Sequence, residues 1–245
     1  MTRVWIWFAI AALLLGGVVG VATVSEDKSR AAAEAKSGVS PPEPGVYHYN
    51  GPSQFTVEVK ADGSGRGITR QIMTLPSGVG FTLRNHVVWS ATSARSTYSE
   101  VINEAGGEGG GFSGGERRSG PAPSCQWRPA TLEYAFPLEV EKRWTMKSSC
   151  TTAVFGRPST IERSEEAVVG GRGMITIDGE RIDVWDIHRT ASYSFSTPFG
   201  QERFTAVTKS VEEFAPSLGL FVSLEEDQGP ASGKFTLQSL TPTRG

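Results

Sequence analysis

Two kinds of apolar patterning divide this chain. Residues 4–24, VWIWFAIAALLLGGVVGVATV, run for 21 positions without a charge. A helix rising ~1.5 Å per residue crosses a hydrocarbon layer of ~30 Å in about 20 residues, so this stretch fits a membrane-spanning helix. Trp5 and Trp7 lie at one end of it, where amphipathic rings prefer the headgroup level. From Gly45 onward the period changes to two. Phe55, Val57 and Val59 alternate with Thr56, Glu58 and Lys60. Val79, Phe81, Leu83, Val87 and Trp89 share one parity, and Thr82, Arg84, His86 and Ser90 share the other. One apolar and one wet face mark a half-buried strand. Further strands are expected over 68–75, 98–103, 145–155, 164–169, 173–177, 181–190, 192–197, 203–214, 218–225 and 233–240. Asp62-Gly63-Ser64-Gly65 and Asp178-Gly179 supply turn chemistry between such runs. No helical period of useful length follows Gly45. The pattern predicts an all-β fold: an antiparallel meander forming a curved sheet or half-barrel, preceded by one N-terminal transmembrane helix.

The rest of the chain falls into place around these two parts. Residues 1–3 form a short tail and residues 25–44 a flexible tether ending in the stiff SGVSPPEP. Residues 45–245 form the β domain, interrupted by a glycine-rich loop at 104–124. Gly20-Val21-Ala22 offers a signal cleavage site, in which case the domain is secreted. The apolar run exceeds the usual signal core of roughly 7–15 residues, which favours a retained anchor. Arg3 precedes the run, whereas Lys28, Arg30 and Lys36 follow it. Basic residues alone would put the domain in the cytoplasm.

The cysteines argue the opposite orientation. Cys125 and Cys150 are the only two, and in one extracytoplasmic domain they are expected to form a disulfide. Two buried thiols in a cytosolic domain are the alternative. A metal site is not expected, because Cys-x-x-Cys is absent and no histidine neighbours either sulfur. Net charge is −2, which removes the electrostatic case for nucleic acid. The 29 glycines and 14 prolines suit short strands and many turns.

No motif carries a reaction. Gly111-Phe112-Ser113-Gly114-Gly115 matches the nucleophile-elbow spelling but lacks the strand before and helix after it, so Ser113 is not expected to be catalytic. Gly170-Gly171-Arg172-Gly173 reads as a turn rather than a phosphate loop. His48, His86 and His188 are far apart, and Asp186 with His188 reads as a surface pair. Glu165-Glu166, Glu212-Glu213 and Glu225-Glu226-Asp227 read as solvated charge, since neighbours on a strand point to opposite faces. No cofactor is implied. The aromatic residues are more suggestive. A curved sheet can enclose an apolar cavity, and Trp127, Trp144 and Trp185 are the candidate ligand-binding residues. An ordinary sheet core is the other account of them.

The opening PPEPGVYHYNGPSQFTVEVKADGSG resembles that of envelope proteins of GC-rich Gram-positive bacteria, where a G-x-Y-x-Y start follows a membrane segment and a Pro-rich tether. WRPATLEYAFPLEVEKRWTMKSSC and VEEFAPSLGLFVSLEE resemble two later stretches of the same group. The layout is more distantly similar to DUF3108-type proteins and to the half-barrel domains of periplasmic lipoprotein carriers. At Glu141 this chain departs from the glycine usual in the group before the basic-Trp pair. The group has no settled activity, so no catalytic residue carries over. The expectation is a single-pass membrane protein with an extracytoplasmic domain. That domain would work without catalysis and bind an apolar ligand or lipid. An assembly module contacting another envelope protein is the alternative, and an extracytoplasmic hydrolase a third reading.

Overall fold

The computed structural model describes residues 39, 41–61, 67–74, 80–103, 124–154, 157–196, 203–227 and 232–243. The expected membrane segment, the Asp62–Gly65 turn and the glycine-rich loop with Ser113 lie outside these residues. Twelve strands are described: β1 Gly45–Asn50, β2 Gln54–Ala61, β3 Gly67–Thr74, β4 Gly80–Trp89, β5 Ser93–Asn103 and β6 Ser124–Ala135. They continue as β7 Arg143–Val154, β8 Arg157–Ile177, β9 Glu180–Ser196, β10 Arg203–Ala215, β11 Leu220–Glu226 and β12 Gly233–Leu237. Each pairs antiparallel with the next in sequence, as a meander should. The curvature continues until β12 meets β1, closing a barrel. That seam is narrow, with Tyr49 opposite Leu237 and Asn50 opposite Thr236. The tail beyond β12 extends it: Gln238 N donates to His48 O at 2.9 Å, and Val46 and Thr243 exchange two backbone bonds at 2.9 Å.

Alternation explains the strands. Along β2, Phe55, Val57 and Val59 are buried while Lys60 is exposed. These side chains join Tyr47, Tyr49, Leu220, Phe221, Phe235 and Leu237 in one apolar cluster. A second cluster holds Val87, Tyr134, Phe136, Trp144, Ile187 and Phe214, with Trp89 and Trp185 packed against it. Val39, within the stretch read as tether, is buried in this second cluster, so packing begins before Gly45.

Three local departures have physical causes. The expected break at residues 170–173 is absent, because β8 runs unbroken and shifts register between Val169 and Gly171. A glycine pair serves a bulge here rather than a turn. A Cβ at position 170 would meet His188 Nε2 at 2.7 Å, so the bulge brings that ring onto bare backbone. β9 is likewise one strand where two were expected. β6, which carries Pro129 in its middle, lies where no strand was expected. Its ladder to β7 is thin, with Arg128 opposite Ser149 the one register pair described.

The disulfide lies across that thin seam. Cys125 on β6 joins Cys150 on β7 with Cα atoms 5.3 Å apart and a sequence separation of 25. Closing such a loop stabilises the fold by about 3.5 kcal/mol on the chain-entropy model. The Asp178-Gly179 hairpin is as expected: φ is 54° and 81°, the left-handed pair of a tight turn between β8 and β9. Glu141 takes φ 64°, the conformation for which glycine is the usual choice.

Candidate functional site

The buried face of β6, β8, β9 and β10 carries five charged side chains. Glu133, Arg163, Glu165, Arg189 and Glu212 are each at most 7% exposed. On β8 they follow the apolar parity: Ile161, Arg163, Glu165, Ala167 and Val169 are all buried, while Glu162 and Glu166 are exposed. Arg189 Nη1 donates to Glu165 Oε1 at 2.6 Å, and its Nη2 to Glu212 Oε1 and to the Glu133 carbonyl oxygen, both at 2.8 Å. Arg163 Nη2 donates to Glu165 Oε2 at 2.6 Å and lies 3.5 Å from Glu133 Oε2. Thr131 Oγ1 donates to Glu133 Oε1 at 2.6 Å. The Arg189 guanidinium also sits 5.0 Å over the Tyr134 ring and 5.6 Å over Trp144.

Partners set the direction in which Glu165 and Arg189 shift. Burial alone would raise the Glu165 carboxyl, but the Arg163 and Arg189 guanidiniums outweigh it and hold it below the usual range. Burial would lower Arg189, yet Glu212 and Glu165 raise it well above its ordinary value. Burial pushes the Tyr134 phenol up, and the Glu212 charge adds to this. The groups are bonded to one another and form a fixed ionic layer. Glu226 differs. It is 7% exposed, and burial followed by the neighbouring Asp227 charge pushes its carboxyl up to about 8.

These positions correct the reading of the acidic runs as solvated charge. One member of each run, Glu165, Glu212 or Glu226, is buried, while Glu166, Glu225 and Asp227 are exposed and Glu213 is half-buried. The alternation was legible. The usable signal was a charge on the same parity as Ile161, Val169, Ile187 and Tyr193.

The three tryptophans do not form one group. Trp144 lies in the second apolar cluster with Trp185 packed against it, whereas Trp127 belongs elsewhere and donates from Nε1 to Ser99 Oγ at 3.0 Å. Ser99 Oγ in turn donates to Asn85 Oδ1 at 2.7 Å. Trp185 also carries the Arg172 guanidinium 5.7 Å above its ring. Around Trp144 the cluster's rings pack on one another: Tyr134 and Phe214 centroids are 4.3 Å apart, and Trp89 stacks on Phe136 at 5.6 Å. The histidines lie apart. His48 Nε2 is 3.3 Å from Thr243 Oγ1, the His86 ring meets Tyr98 edge-on at 5.0 Å, and His188 faces Gly170. Among the described residues no three His, Cys, Asp or Glu side chains converge as metal ligands.

The other face of the same wall is concave and polar. A trough of about 500 Å³ crosses β6 to β10. Arg128, Ser149, Glu162, Ser194 and Thr205 stand opposite one another on successive strands, and Lys147, Ser164 and Ser192 form a second row beside them. Strands lie ~4.8 Å apart, so the longer row spans roughly 19 Å. Serine at four of these outward positions leaves the hollow. Ser148 and Arg163, whose side chains turn to the buried face, also border it.

Comparison with solved structures finds a likeness to the hypothetical lipoprotein YmcC from Escherichia coli (K12), at 8% identity and a TM-score of 0.37, covering 91% of this chain and 100% of that one. No protein-family model and no curated protein matches the chain.

Proposed function

We propose that this chain is a non-catalytic binding domain of the cell envelope, held at the membrane by residues 4–24 and placed outside the cytoplasm. We further propose that it binds through the outer wall of the barrel. One observation carries the second part. On the buried face of β6 to β10, ionic side chains bond to one another and rings stack on rings. On the opposite face the same strands present an open hollow of about 500 Å³. The Cys125–Cys150 bridge supports the placement, since such bonds persist in oxidising compartments. An apolar ligand among the tryptophans is the competing reading, and an envelope-protein partner would also use the outer wall.

Titration of the full chain in detergent with a fluorescent fatty-acyl probe separates them. The expected result is no saturable uptake. Saturable one-to-one uptake that is lost in Trp144→Ala or Trp185→Ala would establish the apolar-ligand reading and overturn the outer-wall one.

A further inference from the structure

We infer that the trough on β6 to β10 is a binding site for a hydroxyl-rich anion, a phosphorylated polyol or sugar. This rests on the outer-wall reading and adds the chemistry of the ligand.

Recognition at this place must come from side chains. Along the trough β8 and β9 are laddered on both sides, so they offer no free backbone edge to an extended peptide. No aromatic or apolar residue lines the hollow. A ligand that stacks on rings or buries an acyl chain therefore gains nothing there. What the trough does offer is a floor of hydroxyls with cations at one end. Ser164, Ser192 and Thr205 each present one donor and two acceptor lone pairs, the complement of a polyol, and Ser149, whose proton goes to the Arg128 carbonyl oxygen, adds acceptor lone pairs. Arg128 and Lys147 sit on adjacent strands at the β6–β7 end. Neither makes an ion pair among the described residues, although Arg143, Arg172 and Lys60 elsewhere on the surface each do. Two unspent cations on one rim suit a phosphate, with the guanidinium able to take two oxygens at once.

The β6–β7 end is also the best fixed. The Cys125–Cys150 bridge ties these two strands three residues from both Arg128 and Lys147. The Ser149 hydroxyl adds a bond to the Arg128 carbonyl oxygen at 3.4 Å. The two strands that carry the cations are thus tied together before any ligand arrives.

The test uses the oxidised full chain in a non-ionic detergent and calorimetric titration with glycerol 1-phosphate, sorbitol 6-phosphate, inorganic phosphate and sorbitol. The expected result is saturable binding of the two polyol phosphates, weaker binding of inorganic phosphate, none of sorbitol, and weakening with added salt. Arg128→Ala with Lys147→Ala should lower the affinity about tenfold or more. Neither side chain holds the fold together, and an unchanged urea midpoint confirms that. Ser192→Phe keeps both charges and fills the hollow, so it should abolish binding as well. Nanodiscs with and without phosphatidylglycerol identify the source: slower acetylation of Lys147 only when that lipid is present assigns the phosphate to a lipid headgroup. No binding at millimolar concentration, or binding indifferent to the double alanine variant, overturns the inference. A neutral oligosaccharide whose binding is lost in Ser192→Phe but kept in the double alanine variant overturns the anion alone and leaves the outer-wall reading standing. Acyl-probe uptake lost in Trp144→Ala overturns both.

Discussion

Replacing Arg189 with Met is expected to destabilise the barrel by about 3–5 kcal/mol, the range for removing one partner of a buried pair. The reason is what it leaves behind. Glu212 is fully buried and loses its only described guanidinium donor, at 2.8 Å. Glu165 keeps Arg163 at 2.6 Å but loses its second donor at 2.6 Å. The Glu133 carbonyl loses a bond at 2.8 Å. The cost is therefore the desolvation of stranded acids rather than the net worth of the original contacts, since a buried pair and a well-packed apolar substitute often differ little. It follows that Arg189→Met combined with Glu212→Met should recover most of the loss, because Glu165 still has Arg163. Urea unfolding of the oxidised parent, the single variant and the double variant reads this directly. A single variant within 1 kcal/mol of the parent would show that the layer is hydrated and not the closed network of Glu133, Arg163, Glu165, Arg189 and Glu212.

Glu226 gives the second large effect, and its sign runs against the usual carboxylate. Burial, then Asp227, raises its folded value to about 8, whereas an unfolded glutamate titrates near 4.3. Between those values the folded chain holds a proton that the unfolded chain has lost. Stability is therefore full below about 4.3 and falls by about 1.4 kcal/mol per pH unit until about 8. The integrated loss is up to about 5 kcal/mol. Glu165 works the other way. Its lowered value contributes stability present above about 4.3 and lost as pH falls through the folded value. It therefore does not offset Glu226 in the neutral range. Glu226→Gln should match the parent at pH 4 and exceed it at pH 9, flattening the dependence. Urea midpoints at pH 4, 6, 8 and 9 decide the matter. An identical slope in parent and variant would place the pH dependence on another group.

How much of this could be read from the sequence depended on which signal each element carries. β2 was plain, because Phe55, Val57 and Val59 alternate with polar neighbours and nothing interrupts them. The Asp178-Gly179 turn and the Cys125–Cys150 bridge were equally direct, since each depends on one dipeptide or one pair. β8 was divided wrongly because Gly170-Gly171 has the spelling of a turn, and only the opposing His188 reveals the close approach that a bulge needs. β6 was not read as a strand, and its place in the wall comes from partners far away in sequence. The ionic layer was misread for a different reason. The acidic runs were read as solvated because strand neighbours point to opposite faces, yet that alternation turns one member of each run inward, with Glu165 between Ile161 and Ala167 on the buried parity. The trough could not be read at all. Its serines come from three separate strands, and only the register of β7 to β9 sets them side by side.

The placement outside the cytoplasm underlies the rest, and one measurement tests it most directly. Protein taken from its native membrane is denatured with an alkylating reagent present and no reductant, and its intact mass is recorded. The expected result is a single species with no alkyl group added at Cys125 or Cys150 and no bound acyl lipid. Alkylation of both sulfurs in the bulk of the material would contradict it, and would return the domain to a reducing compartment.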